Sequence, residues 1–124
     1  MSAIWSNVIR CASNLEDGFT LWSVSEADRR TYLQWQKGLL RAELNALQPT
    51  LIVFVTGPHY DAYLSDEFDG TSFEALGTYK PRVVAKVTSP ALCAPAYRTY
   101  HPGYLNRSLG FAPLEAAIAD AARL

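Results

Sequence analysis

Apolar positions along this chain follow two spacings in turn, and the switches between them mark the expected elements. Trp5 to Cys11 carries the apolar pair Val8-Ile9 and reads as a strand near the first residue, followed by a polar loop. Ser25-Glu26-Ala27-Asp28 resembles a capping box in which Asp28 stands in for Glu. Behind it Tyr32, Trp35, Leu39, Leu40, Leu44 and Leu47 recur at helical spacing, which predicts one long helix stopped by Pro49. Leu51 to Val55 is a continuous apolar run of strand length and fits a central parallel strand. Thr56-Gly57-Pro58 then turns the chain into a second helix starting near His59. The valine-rich stretch Arg82 to Thr88 and the run Tyr97 to Tyr100 read as further strands, and Pro113 to Leu124 as an alanine-rich closing helix. Alternation of this kind predicts an α/β domain of stacked layers.

Composition narrows the picture. With 124 residues, 49% hydrophobic and 19% charged, the expectation is one domain, 1–124, with a single core. A net charge of −1 and a pI near 6.1 give no overall basic field, so any nucleic-acid contact must use a local patch. Cys11 and Cys93 stand apart from each other and from any His cluster, so neither a metal nor a cofactor is expected. The opening residues lack the basic and apolar regions of a signal peptide, and Leu51 to Val55 is far too short to span a bilayer. These features predict a reduced, cytoplasmic protein with no membrane contact.

Candidate chemistry concentrates in Tyr97 to Arg107. β-Favouring residues lead into His101, Pro102 biases that residue towards extended backbone, and Gly103 lets the chain pass close to a ligand. Leu105 and Arg107 follow as an apolar finger and a phosphate-capable cation, a pairing that suits nucleic acid. An isolated His-Pro-Gly fits more simply a strand ending in a turn whose His caps a local carbonyl. Asn7 sits at the end of the first predicted strand, where a polar side chain could enter a ligand crevice or simply cap a turn. Gly57-Pro58-His59 places a helix start behind a buried strand, a geometry that holds phosphates in some proteins and is an ordinary connection in others. Glu16, Asp17, Asp66, Glu67 and Asp69 read as solvated loop residues, and Trp22, Tyr32, Trp35 and Tyr63 as base-stacking or, more simply, core aromatics.

Taken in order, these segments resemble the uracil-DNA glycosylase superfamily. Ser6-Asn7-Val8-Ile9-Arg10-Cys11 is similar to the T-N-x-x-K-C strand of the iron–sulfur branches, and Pro49 to Gly57 to the P-x-L-I-V-x-x-x-G strand. His101-Pro102-Gly103-Tyr104-Leu105 resembles the H-P-S-x-L signature with Gly for Ser, and Tyr100 to Arg107 the bacterial form Y-H-P-S-Y-L-x-R.

The resemblance implies a three-layer α/β/α fold with a short, mostly parallel sheet, and a DNA repair hydrolase that flips uracil out of the stack and cleaves its N-glycosidic bond. Under it Asn7 hydrogen-bonds the uracil edge, His101 donates to the departing base, and Leu105 is the wedge that fills the vacated space. Gly57 and Pro58 correspond to the phosphate-meeting helix start, Gly103 to the loop's small residue, and Arg107 to a further phosphate contact. The family's G-Q-D-P or G-x-x-P-G motif, which positions the attacking water, is expected upstream of Asn7, where only Met1 to Ser6 stand and none is acidic. Of the iron–sulfur ligands only Cys11 has a counterpart. The expectation is therefore an N-terminally truncated version of that fold with weak or no excision. A non-catalytic domain that binds nucleic acid or a nucleobase is the alternative.

Overall fold

A computed structural model describes Ala3, Ser6 and residues 24–124, so the strand expected at Trp5 to Cys11, with Asn7 and Cys11, lies outside the described residues. The chain divides into two compact units, Met1–Leu40 and Arg41–Leu124.

In the first unit, helix α1 (Glu26–Gln36) begins as its sequence dictates. The Ser25 hydroxyl accepts a hydrogen bond from the Asp28 amide at 3.2 Å, satisfying one of the amides left without a partner in the first turn. Glu26 and Arg30, one turn apart, pair at 2.8 Å on the exposed surface. The single long helix expected from the apolar spacing is instead two. Gly38 adopts φ +87, a left-handed conformation suited to glycine, and helix α2 (Leu39–Leu47) starts afresh behind it. Of the apolar residues in that spacing only Leu40 is buried, while Trp35, Leu39 and Leu47 are exposed, so the stripe marks neither a continuous helix nor an inward face.

The second unit is built on a four-stranded mixed sheet of order β1-β4-β3-β2, where β1 is Ile52–Phe54, β2 Ser72–Ala75, β3 Val84–Thr88 and β4 Ala96–Thr99. The α/β class expected from the sequence is thus present. Strands β1 and β4 run parallel, whereas β4–β3 and β3–β2 are antiparallel, so the expected mostly parallel sheet is corrected to a mixed one. Part of the difference is β2, whose four residues are too short and too polar to announce themselves and which returns as a hairpin into β3; the rest is the short connection 89–95, which makes β3 and β4 antiparallel neighbours. Strand β1 has β4 as its one partner among the described residues, which places it at an edge of the described sheet rather than at the centre.

All four residues of β4 are buried, and its successive side chains serve opposite faces. On one face Tyr97 packs with Leu76, Val84 and Ala117, the last from helix α5 (Ala112–Ala122). Its hydroxyl donates to Asp120 of the same helix at 2.6 Å, and Lys86 and Arg123 flank that carboxylate at 3.8 and 3.4 Å. On the other face Arg98, 1% exposed, extends towards helix α3 (Asp61–Glu67). Its Nε and a terminal nitrogen donate to the two Asp61 oxygens at 2.9 and 3.0 Å, its other nitrogen to the Arg82 carbonyl at 3.1 Å, and its guanidinium lies 5.3 Å from the centre of the Phe73 ring. Phe54 and Phe68 meet at 6.0 Å. Helices therefore contact both faces of the sheet.

Register fixes what gathers at each end. Val84 pairs with Thr99 and Ala75 with Ala85, so the start of β3 and the end of β2 share one end of the sheet with the C-terminal ends of β1 and β4. Three connections, residues 55–60, 76–83 and 100–111, converge there.

Two consequences are measurable. Asp61→Ala leaves the Arg98 charge buried without its carboxylate and is expected to destabilise the fold by about 3–5 kcal/mol in urea denaturation. Burial, reinforced by the hydrogen bond to Asp120 and that residue's charge, pushes the Tyr97 hydroxyl from 10.0 up to about 12. The fold thus favours the neutral phenol, a stabilisation complete below pH 10.0 and lost as pH rises to about 12. The hydrogen bond from Tyr97, helped by Arg123 and Lys86, holds the Asp120 carboxyl below its ordinary 3.8, so its stabilisation is present above that pH and lost at lower values. Tyr97→Phe is expected to be less stable by about 1.5–3 kcal/mol at neutral pH. Its deficit relative to the unsubstituted protein should shrink as pH is raised from 10.0 to about 12.

Candidate nucleic-acid interface

Strand β4 delivers Tyr100 and His101 to the convergent end of the sheet. His101 has φ −54 and ψ 141, the extended backbone that a following proline demands, and it caps a helical turn, α4 (Pro102–Tyr104). The cap differs from the carbonyl contact considered above. The His101 Nδ1 accepts a hydrogen bond from the Gly103 amide at 3.0 Å. In the neutral imidazole an accepting Nδ1 leaves the proton on Nε2, which is then the ring's donor. Gly103 permits this fold-back, because a Cβ there would lie 3.2 Å from Nδ1.

Strand β1 supplies the neighbouring turn. Gly57, at φ +66, comes so close to the Tyr100 ring that a Cβ would meet it at 3.2 Å. The Gly57 amide is already donated to the Thr99 carbonyl at 2.9 Å, prolonging the parallel pairing, and Pro58 has no amide hydrogen. Gly57 and Pro58 themselves therefore offer no amide donor at this helix start, and Asp61 in the first turn of α3 is paired with Arg98. What Gly57 and Pro58 do is bring β1 against the His101 loop.

Leu105 also departs from expectation. It is fully buried, because a helical turn follows His101 and the fourth residue along is carried inward to anchor the loop. A wedge must protrude, so in this conformation Leu105 is not one. Its carbonyl accepts from the Gly110 amide, closing a π-helical turn over Leu105–Leu109. Arg107 is exposed, and its Nε donates to the Gly103 carbonyl at 3.1 Å, which points the guanidinium back over the loop.

Lys80 and Arg82 were not among the expected site residues, yet both are exposed in the connection entering β3, at the same end of the sheet as His101. The signal was available in the sequence: no Asp or Glu occurs between Glu74 and Glu115, whereas Lys80, Arg82, Lys86, Arg98 and Arg107 do. Asp61 and Asp120 neutralise Arg98 and Lys86. Lys80, Arg82 and Arg107 are thus the exposed cations of the connections at this end, with the exposed Glu115 in the first turn of α5 behind them. Among the described residues no cluster of His, Cys, Asp or Glu could hold a metal ion, and no helix is long and apolar enough to cross a membrane.

Comparison of the chain with protein-family models, with curated proteins and with solved structures gives no match.

Gly57→Ala forces a left-handed alanine and drives its Cβ towards Tyr100. It is expected to lower stability by about 1–3 kcal/mol in denaturant unfolding, because both the backbone and the ring contact oppose it.

Proposed function

We propose that this chain is a uracil-DNA glycosylase-like domain of three α/β/α layers that binds uracil-containing DNA and assists cleavage of the N-glycosidic bond. The observation that carries the reading is the His101 ring, whose Nδ1 is held by the Gly103 amide at 3.0 Å, so that the neutral ring donates from Nε2. In uracil excision the C1′–N1 bond breaks with its electron pair leaving on the base, and water bonds to C1′ and loses a proton. Negative charge collects on the departing uracil, including its O2. A neutral donor aimed at that oxygen stabilises the transition state more than the ground state. The basic end formed by Lys80, Arg82 and Arg107 supports a polyanionic partner, and helices on both faces of the sheet fit the layered fold.

Asn7 keeps the role that the resemblance gives it, reading the uracil edge with an amide that both donates and accepts. The burial of Leu105 favours the second reading, a domain that binds nucleic acid without extruding a base.

Incubation with single-stranded uracil-containing DNA, followed by detection of abasic sites, separates the two. Under the first reading excision occurs and His101→Ala lowers its rate by about 10²–10³, the usual effect of removing one such donor. Salt-sensitive binding with no abasic product would establish the second. In either case Lys80→Ala and Arg82→Ala are expected to weaken binding to all DNA sequences alike and to reduce the slope of log K against log salt by about 1 each.

A further inference from the structure

With Leu105 turned inward, the side chain that the His101 loop presents outward is its neighbour. Tyr104 is 40% exposed, and its ring stacks on Tyr100 with centroids 4.4 Å apart and planes 30° from parallel. Tyr100 in turn lies against Gly57, where only the absence of a side chain leaves it room. The result is a supported pile: the turn after β1, then Tyr100, then Tyr104 with a face to solvent. An exposed tyrosine ordinarily loses rotamer freedom when something stacks on it, but here the ring underneath already limits that freedom, so less is lost on binding. The surroundings suit a particular ligand. Arg107 is tethered to the Gly103 carbonyl beside this ring, and Lys80 and Arg82 are exposed at the same end of the sheet. A flat π-face with cations at its border matches a nucleobase attached to a phosphate, and only an unpaired base offers its whole face to a protein ring.

We propose that Tyr104, backed by Tyr100, is the stacking platform for one unpaired nucleobase of single-stranded DNA, with Arg107 taking an adjacent phosphate. The inference rests on the nucleic-acid reading of this end but not on catalysis. Tyr104, rather than Leu105, is then the residue that engages the strand next to His101, and the protein prefers single strands to duplex.

Fluorescence anisotropy with a labelled, uracil-free oligothymidylate, using the full chain, tests this directly. Tyr104→Ala is expected to weaken binding roughly 5- to 150-fold, the range for loss of one aromatic–base stack. Tyr104→Trp, which keeps a larger π-face, is expected to bind as tightly as the unsubstituted protein or more so. Unlabelled single strand should displace the probe at lower concentration than duplex of the same length. An unchanged Kd for Tyr104→Ala, a Tyr104→Trp variant as weak as Tyr104→Ala, or equal competition by duplex would each overturn the proposal. Excision of uracil measured in parallel keeps the two ideas apart. Tyr104-dependent binding without any abasic product removes the glycosylase reading and leaves the platform, whereas excision with Tyr104-independent binding does the reverse.

Discussion

Arg98 carries a charge in the centre of the sheet, and much of the second unit is arranged around keeping it there. A guanidinium out of water is strongly unfavourable unless its donors are used, and here each terminal nitrogen and Nε finds an oxygen. The partners come from separate places: Asp61 opens α3, Arg82 precedes β3, and Phe73 belongs to β2. One side chain therefore ties a helix and two strands to β4. Hydrophobic burial alone would let these elements slide, since apolar contacts have no direction. The fork of Arg98 against the two oxygens of Asp61 has direction, and it holds the start of α3 beside the end of β4, where the His101 loop begins.

The opposite face is held differently. Tyr97 lies in an apolar cluster and reaches α5 through its hydroxyl, with Asp120 shared among Tyr97, Lys86 and Arg123. Consecutive residues of one strand thus fasten the two helical sides, one by an ion pair and the other by a phenol. After them Thr99 donates to the Val83 carbonyl at 2.9 Å, so the last residue of β4 is also secured before the chain enters the loop. The His101 turn starts from a rigid base.

Strong local signals were legible in the sequence and relational ones were not. The apolar run at Ile52 to Phe54, the valine-rich β3, the Ser25 cap and the closing helix all depend on residues near one another, and the structure has them. Strand β2 carries little signal because Ser72 to Ala75 is short and mostly exposed, and without it the antiparallel β2–β3 pair could not be foreseen. The break before Leu39 was hidden because an apolar stripe continues across it. At the candidate site, His101 was found because Pro102 and Gly103 mark a special backbone. The inward turn of Leu105 was missed because it follows from a helical turn that starts at Pro102, where an extended loop had been expected. Lys80 and Arg82 needed the register of β3 against β4 before they could be placed beside His101.

Each end of the sheet exposes charge of both signs. Lys80, Arg82 and Arg107 stand where the strand connections converge, with Glu115 in the first turn of α5 behind them, while Asp69, whose carbonyl accepts from Ser89 just beyond β3, lies at the other end beside Arg41. A near-neutral total can therefore accompany local fields of either sign. From far away a polyanion meets a body of net charge −1 and is not drawn in; within about 8 Å, the screening length at physiological salt, it meets one end before the sum. Such a body does little to accelerate encounter from a distance; which of its charges a partner meets is decided only at close approach.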